Sequence, residues 1–146
     1  MPSNPAVPDI ARVVQLAVAP VFLLSGVGVT LTVLTNRLSR IVDRARSLEG
    51  RLPAVPQAER AGLQGELATL SRRAQLINRA LTLSTTCALL VCFVIATLFV
   101  GAFLELDLSG VIALLFVVAM LAFIGALVSF LREIFLATAN LRIGPK

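Results

Sequence analysis

Arginine is the one side-chain type whose number and spacing in this sequence invite chemistry. Nine arginines lie between Arg37 and Arg79, against four acids, Asp43, Glu49, Glu59 and Glu66, for a net charge of +5 over that segment. Arg37, Arg40 and Arg79 stand at the edges of uncharged runs. They are candidates for contact with anionic lipid head groups, because a planar guanidinium offers paired donors to a phosphate and each basic residue near an anionic leaflet adds about 1 kcal/mol of attraction. Arg44 and Arg73 lie further from those edges and are candidates for the surface of a projecting stalk. Glu105 and Asp107 form the only acidic pair in a short stretch that contains no base. In a symmetric assembly they would make an acidic ring at the outer mouth of a cation path; in the plainer reading they are a solvated turn between two helices.

Little other chemistry is open to the chain. It has no His, Tyr or Trp, and its single Lys is Lys146. The commonest metal ligand and the usual general base near neutral pH are therefore missing. Cys87 and Cys92 are five residues apart, about 140° around a helix, which is too divergent for a disulfide or a shared zinc ion. No catalytic, cofactor-binding or metal site is expected, no cofactor is implied, and the expectation is a protein that is not an enzyme. Nucleic acid is not an expected partner, since no aromatic interleaves with the bases for stacking and acids are interspersed among them.

The elements that position these residues follow from the solvent the composition demands. Of 146 residues, 58% are hydrophobic and 14% are charged, against about 25% charged in an ordinary soluble domain. Three runs carry no charge: 13–36, 80–104 and 108–131. Each exceeds the roughly 20 apolar residues needed to cross a hydrocarbon core. Strands cannot span alone, because an open sheet leaves backbone groups unpaired in lipid. The expectation is one all-α integral membrane domain over 1–146 with three transmembrane helices. The first run is read as a retained helix rather than a signal peptide. It is longer than a signal h-region and lacks a small-residue cleavage site.

Charge orients the spans. The segment between the first two runs is strongly basic, the loop at Glu105 and Asp107 carries −2, and the tail over 132–146 carries three bases and one acid. Basic loops stay in the cytoplasm. The N-terminus and the acidic loop are expected outside (the periplasm, in a bacterium), and the segment 37–79 and the tail inside. Helix three is expected to continue past the bilayer and to stop at Gly144 and Pro145.

The basic segment has its own pattern. Leu34, Leu38, Ile41, Ala45, Leu48 and Leu52 are spaced alternately four and three, and so are Leu63, Leu67, Leu70, Ala74, Ile77 and Leu81. Both are coiled-coil stripes. Antiparallel pairing, Leu34 with Leu81 through to Leu52 with Leu63, sets a large residue against each alanine. A cytoplasmic antiparallel hairpin over 37–79 is expected, with its turn at 53–62 marked by Pro53, Pro56 and Gly62. In that register Arg51 faces Glu66, whereas Arg44 faces Arg73, a like-charge pair left for Asp43 and solvent, or an anionic lipid or acidic partner, to neutralise. Inside the apolar runs, Ser84 and its neighbouring threonines are expected to bond back to their own helix.

Three stretches also carry a resemblance. Leu34-Thr35-Asn36-Arg37-Leu38-Ser39-Arg40-Ile41-Val42-Asp43-Arg44 resembles the most recognisable segment of the bacterial membrane family catalogued as domain of unknown function 2721. Arg73-Ala74-Gln75-Leu76-Ile77-Asn78-Arg79-Ala80 and Phe130-Leu131-Arg132-Glu133-Ile134 are similar to it as well. The likeness covers roughly residues 10 to 143. It implies a small multi-pass protein of the bacterial inner membrane and supplies no activity, catalytic residue or cofactor.

From the residues themselves, the leading functional expectation is a non-enzymatic oligomeric scaffold or interaction protein. The lipid bilayer, further copies of itself and an unidentified protein are its expected partners. The alternative is a homo-oligomeric cation channel with the Glu105 and Asp107 ring outside. The shared premise is tested by alkaline carbonate washing of membranes. The full chain should stay in the pellet, and its recovery in the supernatant would refute the three-span reading.

Overall fold

Three long helices account for nearly all of the described chain. The computed structural model describes residues 6–142, with side chains over 10–139. Helix α1 is Ala6–Arg51, α2 is Gln57–Leu104 and α3 is Ser109–Arg142. A single 3-10 turn, Leu52–Ala54, follows α1. No strand occurs among the described residues. All three helices are long and apolar enough to cross a membrane. At 46 and 48 residues, α1 and α2 are each about 70 Å long at 1.5 Å per residue, so both extend far past their uncharged runs. Gly144 and Pro145, the expected stop of α3, lie outside the described residues.

The chain divides into two compact units. The described part of Met1–Thr30 with Leu83–Ile124 forms the first. Its buried positions are mostly small: Ala17, Val27, Ser84, Cys87, Val91, Val94 and Ala119. Its large apolar side chains point outward, with Phe103 90%, Phe22 73% and Leu114 65% exposed. Water penalises that arrangement, whereas hydrocarbon surroundings would favour it, with the small residues letting helices approach closely. Cys87 is buried and Cys92 exposed, and both are free thiols. The Ser84 hydroxyl is buried with no hydrogen-bond partner among the described residues. It does not bond back to its helix as expected, whereas Thr82, in the second unit, donates to the Asn78 carbonyl at 3.0 Å.

The turn between α2 and α3 closes within this first unit. The Leu106 N–H donates to the Gly101 carbonyl at 2.9 Å, with Glu105 between them in the left-handed conformation, φ 56°. This is the Schellman pattern, whose left-handed position is usually glycine. Gly101 fits the close return of the chain, since a Cβ there would meet the Leu106 carbonyl oxygen at 3.3 Å.

The second unit comprises Leu31–Thr82 with the described part of Gly125–Lys146. All twelve positions of the two predicted stripes are buried or half-buried. Leu34, Ile41 and Leu48 on α1 are buried at intervals of seven, as are Leu70 and Ile77 on α2. The turn is shorter than the expected 53–62, because α2 already begins at Gln57. Pro56 offers its carbonyl to the Glu59 N–H at 2.9 Å, and Glu59 places negative charge in the first turn, where the helix dipole favours it. Gly62 and Gly65 therefore sit inside the helix. Each is less favourable than Ala by about 1 kcal/mol, a local cost that does not stop a helix with good formers around it.

Glycine at position 105 would relieve the left-handed strain. Glu105→Gly should raise stability by about 0.5–1 kcal/mol, seen as a higher Tm in detergent. A lower Tm would show that the Glu105 side chain contributes more than its backbone costs.

Candidate functional site: an arginine–glutamate clamp

On α3, Ala119, Ala126 and Glu133 are each buried and seven residues apart. A seven-residue step returns to the same helical face, so Glu133 continues an apolar stripe as a carboxylate. Its side chain is fully buried. An isolated ionised carboxylate cannot be held there, because losing its hydration costs several kcal/mol even after relaxation. Within the second unit two arginines meet it. From α1, the Nε and Nη2 of Arg37 donate to Oε2 at 2.9 and 2.6 Å. From α2, the Nε of Arg73 donates to Oε1 at 2.9 Å. Each carboxylate oxygen is thus served by a different helix, and the pairs are charge-assisted and short.

The arginines are not themselves desolvated to the same degree. Arg37 keeps 34% and Arg73 20% of its side chain exposed, so spare guanidinium donors still reach water. The Arg37 guanidinium carbon also lies 5.4 Å from the centroid of the Phe130 ring, within cation–π range. Two positive groups around one negative group leave the cluster at +1. A polar group on an apolar stripe penalises every register that leaves it unpaired, as a buried polar residue does in coiled coils.

The clamp redistributes the residues expected from sequence. Arg37, a candidate lipid contact, and Arg73, a candidate stalk-surface residue, are brought together on Glu133. Arg44 pairs through Nη2 with Oε1 of Glu66 at 3.1 Å, an exposed contact. This differs from the expected Arg51–Glu66 pair, and it answers the Arg44–Arg73 juxtaposition: each arginine has an acid of its own, one from α2 and one from α3. An exposed pair of this sort contributes about 0–1 kcal/mol. Arg40 lines an open cleft of about 270 Å³ with Arg37, Arg44 and Arg73. Neither Arg40 nor Arg79 has an ion pair among the described residues. In the sequence Glu133 stands in a family-like stretch with no local pattern that assigns it a role. The signal that could have found it is the seven-residue step from Ala119 and Ala126.

In the first unit, Glu105 and Asp107 do different jobs. Glu105 holds the left-handed position of the turn. The Asp107 carboxylate accepts from the Ser109 hydroxyl at 2.7 Å and the Ser109 N–H at 3.2 Å, at the start of α3. The hydroxyl first, and then the backbone N–H, hold the Asp107 carboxyl below the ordinary range. A depressed carboxylate stabilises the fold above its unfolded pKa, and that contribution disappears as pH falls through the folded value.

Residues 17–143 match the family described as a protein of unknown function, DUF2721. The chain belongs to this family. The match takes in all three clamp residues, Arg37, Arg73 and Glu133, and both acids of the α2–α3 turn. No curated protein and no solved structure matches the chain.

Removing the carboxylate should leave two partly buried arginines uncompensated. Glu133→Ala is expected to cost about 3 kcal/mol, the low end for breaking a buried pair, because both arginines can partly rehydrate. Thermal unfolding in detergent, followed by helical circular dichroism, measures it. A Tm unchanged by Glu133→Ala would show that the clamp contributes nothing to stability.

Proposed function

We propose that this family member is a non-enzymatic scaffold of the bacterial inner membrane. Its three apolar runs span the bilayer, with the N-terminus and the Glu105–Asp107 turn outside. The arginine-rich arms of α1 and α2, packed as an antiparallel coiled coil, project into the cytoplasm as a stalk. The observation that carries this reading is the clamp. The fully buried carboxylate of Glu133 joins one arginine from each arm, which favours a single rigid geometry over a flexible tether. Rigidity of that kind suits a surface that another component must recognise, because little conformational entropy remains to be lost on binding. The composition agrees: without His, Tyr or an internal Lys, few nucleophile–base pairs can be assembled. The outward apolar residues of the first unit and the small residues Gly26 and Gly28 leave room for further copies, so the scaffold is proposed to be a homo-oligomer.

One observation favours the cation-channel reading. Glu105 occupies a left-handed position where glycine would cost less, and such residues persist where the side chain has a use. Against it, the Asp107 carboxylate is already engaged with Ser109.

The two readings separate experimentally. A chain with residues 48–67 replaced by a short turn keeps Arg37, Arg73 and Glu133. Under the scaffold reading it should insert normally, remain oligomeric by native mass spectrometry in mild detergent, and lose its cytoplasmic cross-links in cells. An unchanged cross-linking pattern would count against a stalk that engages a partner. Under the channel reading the intact protein should pass cations in planar bilayers, with selectivity weakened by Glu105→Gln. No current from the intact oligomer rejects that reading.

A further inference from the structure

The second unit holds an arginine cluster that the clamp does not use. Arg72 and Arg79 on α2 and Arg132 on α3 line one open cleft of about 500 Å³, walled by Leu76, Phe135 and Leu136. No acid lines this cleft. Glu66 and Glu133 are engaged with Arg44, Arg37 and Arg73, and none of the three cleft arginines has an ion pair among the described residues. Guanidiniums gathered around one space repel one another unless an anion sits between them. Their planar donors match phosphate oxygens in pairs.

The walls and the position narrow the anion. Phe135 is 64% exposed, and a small inorganic ion gains nothing from an aromatic and two leucines, whereas a phosphate ester with carbon atoms beside its phosphate does. Arg79 immediately precedes the uncharged run 80–104, and Arg132 immediately follows the uncharged run 108–131. Both therefore mark the edge of the apolar zone, where lipid phosphates lie if those runs span a bilayer. Arg72 is seven residues from Arg79, about 10 Å along the helix, a reach suited to the polar extension of a head group.

We propose that the Arg72–Arg79–Arg132 cleft is a binding site for the phosphate head group of an anionic membrane phospholipid, with the carbon atoms of that head group lying against Phe135 and Leu136, which follow Arg132 on the side away from the uncharged run. The site rests on the membrane-embedded reading above. That reading is checked in the same experiment, because the chain must first incorporate into lipid nanodiscs.

The test compares nanodiscs of phosphatidylcholine with nanodiscs containing phosphatidylglycerol, and native mass spectrometry counts the lipid that stays with the released protein. The wild-type chain should retain phosphatidylglycerol and not phosphatidylcholine. Arg72→Gln with Arg132→Gln should weaken retention about 30-fold. Arg46→Gln with Arg51→Gln, which removes equal charge from α1, should leave it nearly unchanged. Phe135→Ala keeps every charge and should also weaken retention, so the proposal remains testable if the double arginine variant fails to fold. Equal weakening by the α1 control would reduce the effect to net charge and overturn the proposal. So would full retention by both cleft variants, or displacement of the lipid by equimolar inorganic phosphate or glycerol phosphate, which would make this a site for soluble phosphate. Failure to enter nanodiscs at all would overturn the membrane reading along with the site.

Discussion

The carboxylate of Glu133 is the constraint around which the second unit is organised. Burying it is unfavourable unless both oxygens are compensated, and the two compensating charges come from different helices. A register shift of one residue on α1 or α2 would rotate Arg37 or Arg73 away by about 100° and expose the penalty. The apolar stripe at Leu34, Ile41, Leu48, Leu70 and Ile77 supplies the non-directional part of the stability, about 1.5–3 kcal/mol for each fully buried aliphatic side chain. The clamp adds direction: apolar packing tolerates sliding by a heptad, whereas a buried charge does not.

The same seven-residue period operates under two different surfaces. On the α1 and α2 segments of the second unit the outward positions are largely polar or arginine. In the first they are Phe22, Leu114, Phe103 and other large apolar groups. α1 and α2 each run through both kinds of surface as a single helix. What changes along each helix is the solvent its exposed face suits. The arginines at the edges of the uncharged runs mark that change, and Arg79 and Arg132 do so on two helices at once.

The turn at Glu105 shows a smaller conflict of the same type. Schellman closure asks for a left-handed residue, and the chain provides glutamate there and glycine at position 101, where the returning carbonyl comes closest. Asp107 then ties the first N–H of α3. Two neighbouring acids with one apparent role in the sequence thus carry separate tasks, one set by backbone conformation and one by a helix start.

Much of this was legible in the sequence. Uncharged runs of this length reveal three apolar helices, because hydrocarbon demands continuous lengths without charge. Spacings of three and four reveal which faces of the arginine-rich arms are buried, because helical geometry is periodic. Local signals served less well at the turn: Gly62 and Gly65 read as breakers, yet Pro56 and Glu59 start α2 ahead of them. The pairing of Arg37 and Arg73 with Glu133 was not legible at all. The partners are 96 and 60 residues apart in sequence, and no local rule selects one glutamate from five acids of the same unit. By itself the sequence determined which apolar lengths of chain are helical, which faces of the arms are apolar and where the charge lies. The tertiary structure alone decided which charge meets which, because that depends on three helices arriving together at one buried point.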